Sequence, residues 1–338
     1  MLWNQQVETL PRMDMAAWQS YKLKKVLERV HEKSILYKSR MEQYHLIPEN
    51  IRGVDDLKNL PLTTRQDLAA NYPYGMLTMP VSGVSYIHTM EEPESSPLAI
   101  CYTRNDMGMW TELMSRILVG GGINMASIFQ CLGMVGKYTS TIGLHYSVGQ
   151  TGATLLPDST CGILEQAQLM EEFGITAIFA DPSYLLMLAK EAGVQGGERK
   201  LPLQNIFCDS RCLSAFQGKE IEQIFGIHPV AMYGICDLWG MAVAGECHCH
   251  SGLHIQEDCF YPEVIQPATG EVLSAGETGE LVLTSLTLEA MPLLRFRTGV
   301  RCRLDEQTCA CGRTLTRMRL EGEEKTTTYR PSCGGRGK

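Results

Sequence analysis

The sequence lacks the features that would send a chain into a membrane or onto a nucleic acid. No apolar run approaches the roughly 20 residues that a membrane-spanning helix needs. The opening Met1-Leu2-Trp3-Asn4-Gln5 has neither the basic nor the apolar region of a secretory leader. Lysine and arginine form no cluster and the formal net charge is −8, which argues against a partner with a phosphate backbone. There is no internal repeat. These absences predict a cytoplasmic protein with no membrane or nucleic-acid partner. The 338 residues, 44% hydrophobic and 20% charged, suffice for a large core and two or three subdomains.

What the chain has in excess is cysteine. The thirteen are odd in number and scattered through a chain too long to need disulfide staples. That pattern favours a reducing compartment and metal ligation over a disulfide framework.

The pattern of apolar residues changes twice along the chain. Residues 1–80 read as mainly helical. A helix is predicted over 14–33, with Asp14 as N-cap and Leu23, Val26, Leu27 and Val30 at helical spacing. Thr64-Arg65-Gln66-Asp67 has the form of a capping box. Over 81–240, short apolar runs alternate with helical stretches. The runs are Val84–His88, Ile123–Phe129, Ala153–Leu156, Thr176–Ala180, Asn205–Cys208 and Val230–Tyr233; the helices include Ile163–Phe173 and Ala215–Phe225. Such alternation predicts an α/β fold, parallel sheets flanked by helices, with ligands beyond the carboxyl ends of the strands. Over 241–320, His254–Ile265, Gly279–Thr284 and Leu293–Arg301 read as strands of a smaller β-rich subdomain. Residues 321–338 have no apolar periodicity and read as an unfolded or aberrant tail.

The strongest constellation is a cluster of metal ligands. Cys309-Ala310-Cys311-Gly312-Arg313 puts two thiols in a turn, and Cys247-His248-Cys249-His250 with His254 lies upstream. Zinc takes four Cys or His ligands in a tetrahedron. Two ligands from each segment would make a closed, structural site; the alternative is reduced cysteines with no metal. Asp237 follows Tyr233-Gly234-Ile235-Cys236 at a strand end. A carboxylate there suits Mg²⁺, but a helix N-cap is the commoner use of such an aspartate. His88, His145 and His228 have no evident partner and read as core or surface residues. The 18 methionines read as core filler.

Many ordered stretches together resemble the phenylacetate–CoA ligase family of adenylate-forming enzymes. They are Trp3-Asn4 with Glu8-Thr9-Leu10-Pro11-Arg12, then Leu60 to Leu68 and Asn71-Tyr72-Pro73-Tyr74-Gly75, then Gly143-Leu144-His145-Tyr146, Gly152-Ala153-Thr154 and Pro182-Ser183-Tyr184. Gly252 to Asp258, Thr287 to Leu293 and Cys309 to Arg313 follow in family order. The resemblance runs from residue 3 to about 320 and implies an adenylate-forming N-terminal domain bearing a β-rich zinc subdomain, with the small C-terminal domain absent. It implies formation of an acyl-adenylate from ATP and a small aromatic carboxylic acid, then acyl transfer to CoA. It also implies Mg²⁺ at Asp237, nucleotide contacts at Tyr233, Gly234, Cys208, Asp209 and Thr298, zinc on Cys247, His254, Cys309 and Cys311, and a homodimer.

The chain departs from that family's pattern in its ATP chemistry. The glycine-rich phosphate loop ending in Gly-Lys-Pro reads Met90-Glu91-Glu92-Pro93-Glu94-Ser95-Ser96-Pro97 here. Its three carboxylates would each repel a triphosphate by about 1 kcal/mol or more at close range. The Tyr-Arg-Thr-Gly-Asp that anchors ribose reads Phe296-Arg297-Thr298-Gly299-Val300, and a valine accepts no hydrogen bond. The adenine-side Gly-Ala-Glu reads Cys208-Asp209-Ser210. The family's C-terminal lysine has no counterpart. One hypothesis, at the level of codons, covers two of these defects. Read from the third base of each written codon, the window from Met90 forces Gly, then permits Arg, Thr, Gly and Lys ahead of Pro97. The same offset over Glu323 to Thr328 permits Lys-Asp-Asp-Tyr, similar to the family's hinge. Two readings follow: an acyl/aryl-CoA ligase impaired as written, or a non-catalytic relative that keeps the fold and a structural zinc.

Overall fold

The computed structural model of the chain describes residues 1–90, 97–132, 139–157 and 161–321. The window at 91–96 and the tail from 322 lie outside the described residues. The fold is α/β with a large mixed sheet. Among the described residues, Met1–Asn4 with Trp110–His254 form one compact unit, and Gln5–Met109 with residues 255–321 form a second.

The second unit opens with α1 (Gln5–Glu8), α2 (Arg12–Lys33), α3 (Ile35–Gln43) and α4 (Arg65–Ala70). Helix α2 starts two residues earlier than predicted, with Pro11 rather than Asp14 in the cap position. A proline's fixed φ suits a helix entrance, and Asp14 falls inside the first turn, where its charge complements the helix dipole. Leu23, Leu27 and Val30 are fully buried, and burying each stabilises by ~1.5–3 kcal/mol. The capping box of α4 forms as the sequence predicts: Thr64 N donates to Asp67 Oδ2 at 2.7 Å, and Asp67 N donates to Thr64 Oγ1. Strands β1 (Tyr86–Met90) and β2 (Leu98–Tyr102) pair antiparallel in a sheet of their own. The run Val84–His88 was expected in the parallel sheet. Its partner is instead a strand close in sequence, for which antiparallel pairing needs no crossover helix.

The first unit carries the alternation. After α5 (Arg104–Gly120) come β3 (Ile128–Cys131), α6 (Thr139–Gln150), β4 (Thr154–Leu156), α7 (Ile163–Phe173), β5 (Ala177–Phe179), α8 (Pro182–Glu191), β6 (Asn205–Asp209), α9 (Ala215–Phe225), β7 (Val230–Ile235) and β8 (Gly240–Gly245). The strand order is β4-β3-β5-β6-β7-β8, parallel except for the β7–β8 pair. Strand β3 begins five residues later than predicted, because Ile123 donates back to Leu118 O and closes α5. Met170, Leu185, Leu188 and Ile221 from the helices pack with Ile178 and Ile206 of the strands in one buried cluster.

The chain continues through β9 (Leu253–Ile255), then β10 (Phe260–Ile265), β11 (Gly279–Ser285), β12 (Phe296–Asp305) and β13 (Arg317–Leu320). Strands β10 to β13 pair antiparallel in chain order. Within the second unit, the N-terminal helices are tied to this sheet by buried charge. Glu257 accepts from Arg12 at 2.5 Å, Thr316 N at 2.6 Å and Thr316 Oγ1 at 2.9 Å. Glu8 pairs with Arg313, both nearly inaccessible. Tyr37 OH accepts from Leu294 N at 2.9 Å, and burial pushes its phenol pKa up. Losing one partner of a pair buried on both sides, such as Glu8–Arg313, is costly because it strands a charge away from water.

Candidate functional site

The carboxyl ends of β6 and β7 converge where a doubly wound sheet places its ligands. Asp209 and Met232 are register partners, and Ser210 N donates to Met232 O at 2.8 Å. Strand β7 then carries Tyr233 and Gly234, and the chain reverses through Cys236 and Asp237 into β8. Asp237 is buried in this turn, with no helix after it. The N-cap expected from local pattern is therefore wrong: Leu238 and Trp239 bridge back to Ile235, and the chain continues as strand. The reversal is tight. A Cβ on Gly234 would lie 1.3 Å from the carbonyl oxygen of Gly240, so no side chain fits there.

Asp209 does not face this region as a lone acid. Arg211 Nη2 donates to Asp209 Oδ2 at 2.7 Å and Arg211 Nε to Oδ1 at 3.1 Å, a bidentate pair with both side chains largely buried. Burial pushes the Cys208 thiol far up, and nearby Asp181 and Asp209 push it further, so it stays protonated and is no nucleophile. Ser210 adds a buried hydroxyl with no hydrogen-bond partner among the described residues. Sequence reasoning named Ser210 only within the adenine-side motif and missed Arg211. The available signal was Asp-x-Arg at a strand end, where a short loop lets the arginine fold back onto the acid.

Thr298 sits in β12 of the second unit. Its hydroxyl donates to Leu281 O at 2.8 Å and accepts from Val300 N at 3.1 Å. Gly299 beside it has φ +72° and donates its N–H to Glu280 Oε1. Gly299, Glu280 and Arg301 border a cavity of about 220 Å³.

The thiol-rich segments separate into two groupings. Within the first unit the ligand atoms of Cys247 and His254 lie within 4.8 Å of each other, and within the second unit those of Cys309 and Cys311 do. Cys247, His248 and Cys249 form an alternative set. The Cys309–Arg313 turn is closed by Gly312 N on Cys309 O, and Arg313 Nη1 lies 3.6 Å from Cys311 Sγ. Three thiols and an imidazole suit zinc, and four protein ligands leave no open position.

The chain is 33% identical over 320 residues to the phenylacetate–coenzyme A ligase of Thermus thermophilus, covering 94% of this chain and 72% of that protein. It is 34% identical over 326 residues to the phenylacetate–coenzyme A ligase of Escherichia coli, with the same coverage. The chain belongs to the phenylacetate–CoA ligase family. No family model matches it. Among solved structures, 2-hydroxyisobutyryl-CoA ligase in an open conformation, in complex with 2-HIB-AMP and CoA, superposes with a TM-score of 0.85 at 20% identity, covering 94% of this chain and 76% of that one. VinN superposes at 0.55 and 17% identity, over 71% and 60%. These two share the fold. Among the described residues of this family member no helix is long and apolar enough to cross a membrane.

Proposed function

We propose that the chain is an acyl-CoA ligase of the phenylacetate type, built to activate a small aromatic carboxylic acid with ATP and pass it to CoA. The observation that carries this reading is its identity of about one third to curated phenylacetate–CoA ligases along 94% of its length. In this reading Asp237 holds Mg²⁺, which would offset phosphate charge. Tyr233, Gly234, Cys208 and Asp209 of the first unit contact the nucleotide, and Thr298 is assigned to it by family resemblance alone. The residues act by aligning the carboxylate for attack on the α-phosphate and by stabilising the charge that leaves it. Asp209 enters this work already neutralised by Arg211, and Ser210 supplies a spare polar contact.

A structural zinc on Cys247, His254, Cys309 and Cys311 belongs to the same proposal. Its support is the donor set and the closeness of the two ligand atoms within each unit. A homodimer, on family resemblance alone, and a cytoplasmic location, on the scattered and odd-numbered cysteines, complete the reading.

A second reading, a non-catalytic relative, is favoured by specific departures: Glu91, Glu92 and Glu94 where a phosphate loop needs glycine and lysine, and Val300 where ribose needs an acceptor. Pyrophosphate release with phenylacetate, ATP and CoA separates the two. Impaired turnover is expected from this polypeptide, and rates equal to the Escherichia coli relative would refute the impairment. Thermal stabilisation that grows with ATP would refute the non-binding version of the second reading.

A further inference from the structure

His228, which the sequence left without a partner, stands in a group of polar side chains that nothing in the ligase chemistry uses. It follows α9, just beyond Gly226, whose φ of +68° ends that helix. Its ring packs against that of His250, with centroids 4.0 Å apart and planes tilted by 47°. Glu246 completes the set: Glu246 Oε2 lies 3.7 Å from His250 Nδ1. The ligand atoms of His228, Glu246 and His250 all fall within 4.8 Å of one another. All three belong to the first unit and come from the end of β8 and two loops.

We propose that His228, Glu246 and His250 form a second metal site, open to solvent, for a borderline divalent transition metal such as Ni²⁺, Cu²⁺ or Zn²⁺. Four observations carry it. The donor set is two imidazoles and one carboxylate, which selects these ions over Mg²⁺ or Ca²⁺. Glu222 Oε2 lies 3.1 Å from His228 Nδ1, the outer carboxylate that commonly orients a metal-binding imidazole and leaves its Nε2 to face the ion. Glu246 is held in place, because the same Oε2 accepts from Ala231 N at 3.1 Å and its own N–H bonds Ala231 O at 2.9 Å. His250 is held at φ +45°, a conformation uncommon for a residue other than glycine, with its N–H on Cys247 O at 3.0 Å. Two imidazoles are thus set close together, their planes tilted by 47°, beside a fixed carboxylate.

The site differs in kind from the thiol cluster. It offers three protein ligands rather than four, and His228 is 40% exposed, so water fills the remaining positions and the ion exchanges freely. It is independent of the ligase reading, and its failure would leave that reading untouched.

The test titrates Ni²⁺ into untagged protein carrying one equivalent of zinc, with weakly held metal removed by gel filtration, and follows heat of binding and absorbance together. One further equivalent of Ni²⁺ is expected, with no thiolate-to-metal absorption band. His250→Asn and His228→Asn should each weaken it at least ten-fold; asparagine tolerates the left-handed backbone at 250 better than most residues. Far-UV circular dichroism checks the fold of each variant, and Glu246→Gln serves if one fails to fold. Equal Ni²⁺ affinity in folded variants and wild type, a thiolate band, or no binding below millimolar metal would each overturn the site.

Discussion

Gly234 and Gly240 approach so closely that a Cβ on the first would overlap the carbonyl oxygen of the second, at 1.3 Å. That contact sets the reversal that holds Asp237 and brings Tyr233 to the end of β7. The contact is with backbone, which cannot rotate away. Gly234→Ala is therefore expected to cost on the order of 3 kcal/mol or more. Denaturant unfolding would show the midpoint shift, and an unchanged midpoint would mean that the strands separate freely there.

The Asp209–Arg211 pair should be asymmetric to mutation. Arg211→Met strands a largely buried carboxylate and is expected to cost about 3 kcal/mol. The double variant Asp209→Asn with Arg211→Met should recover much of that loss. A double variant as unstable as the single one would show that the pair is not coupled.

Zinc should accompany the chain through purification without chelator at roughly one equivalent. Cys309→Ser or Cys311→Ser should lower that content and the thermal midpoint together, because ligand binding free energy is folding free energy at such a site. Metal analysis showing wild-type zinc in both variants would remove them from the ligand set.

The α4 cap gives a pH-dependent signature. Burial raises the Asp67 carboxyl, but hydrogen bonds from Arg40 and Thr64 outweigh it and hold the group below its usual range. A depressed folded pKa means stability that is present above the unfolded pKa and lost as pH falls through the folded one. Asp67→Asn should thus destabilise by about 1 kcal/mol near neutral pH, with the difference vanishing in acid. A difference that grows on acidification would contradict this.

The acidic window has a test outside the protein. The nucleotide sequence across codons 90 to 97 should spell Gly-Arg-Thr-Gly-Lys in the offset frame. Codons that forbid those residues would leave the window as a genuine departure from the family.

Local pattern made much of the fold legible. The helices at Ile163–Phe173 and Ala215–Phe225 match the predicted bounds because their caps and apolar periodicity are written in adjacent residues. The same holds for the Thr64–Asp67 capping box. The family was legible from ordered motifs spread along the chain. Side-chain chemistry decides those, and it does not need a neighbour.

Tertiary structure alone decided the rest. No local rule says that β1 pairs with β2 rather than joining the parallel sheet, or that Asp237 occupies a strand reversal instead of a helix cap. Arg211 folding onto Asp209 depends on where β6 ends. His228 and His250 are 22 positions apart, and only the closing of two loops beside Ala231 sets their rings together. Pairing and charge neutralisation are properties of distance in space, which a sequence encodes only through the whole fold.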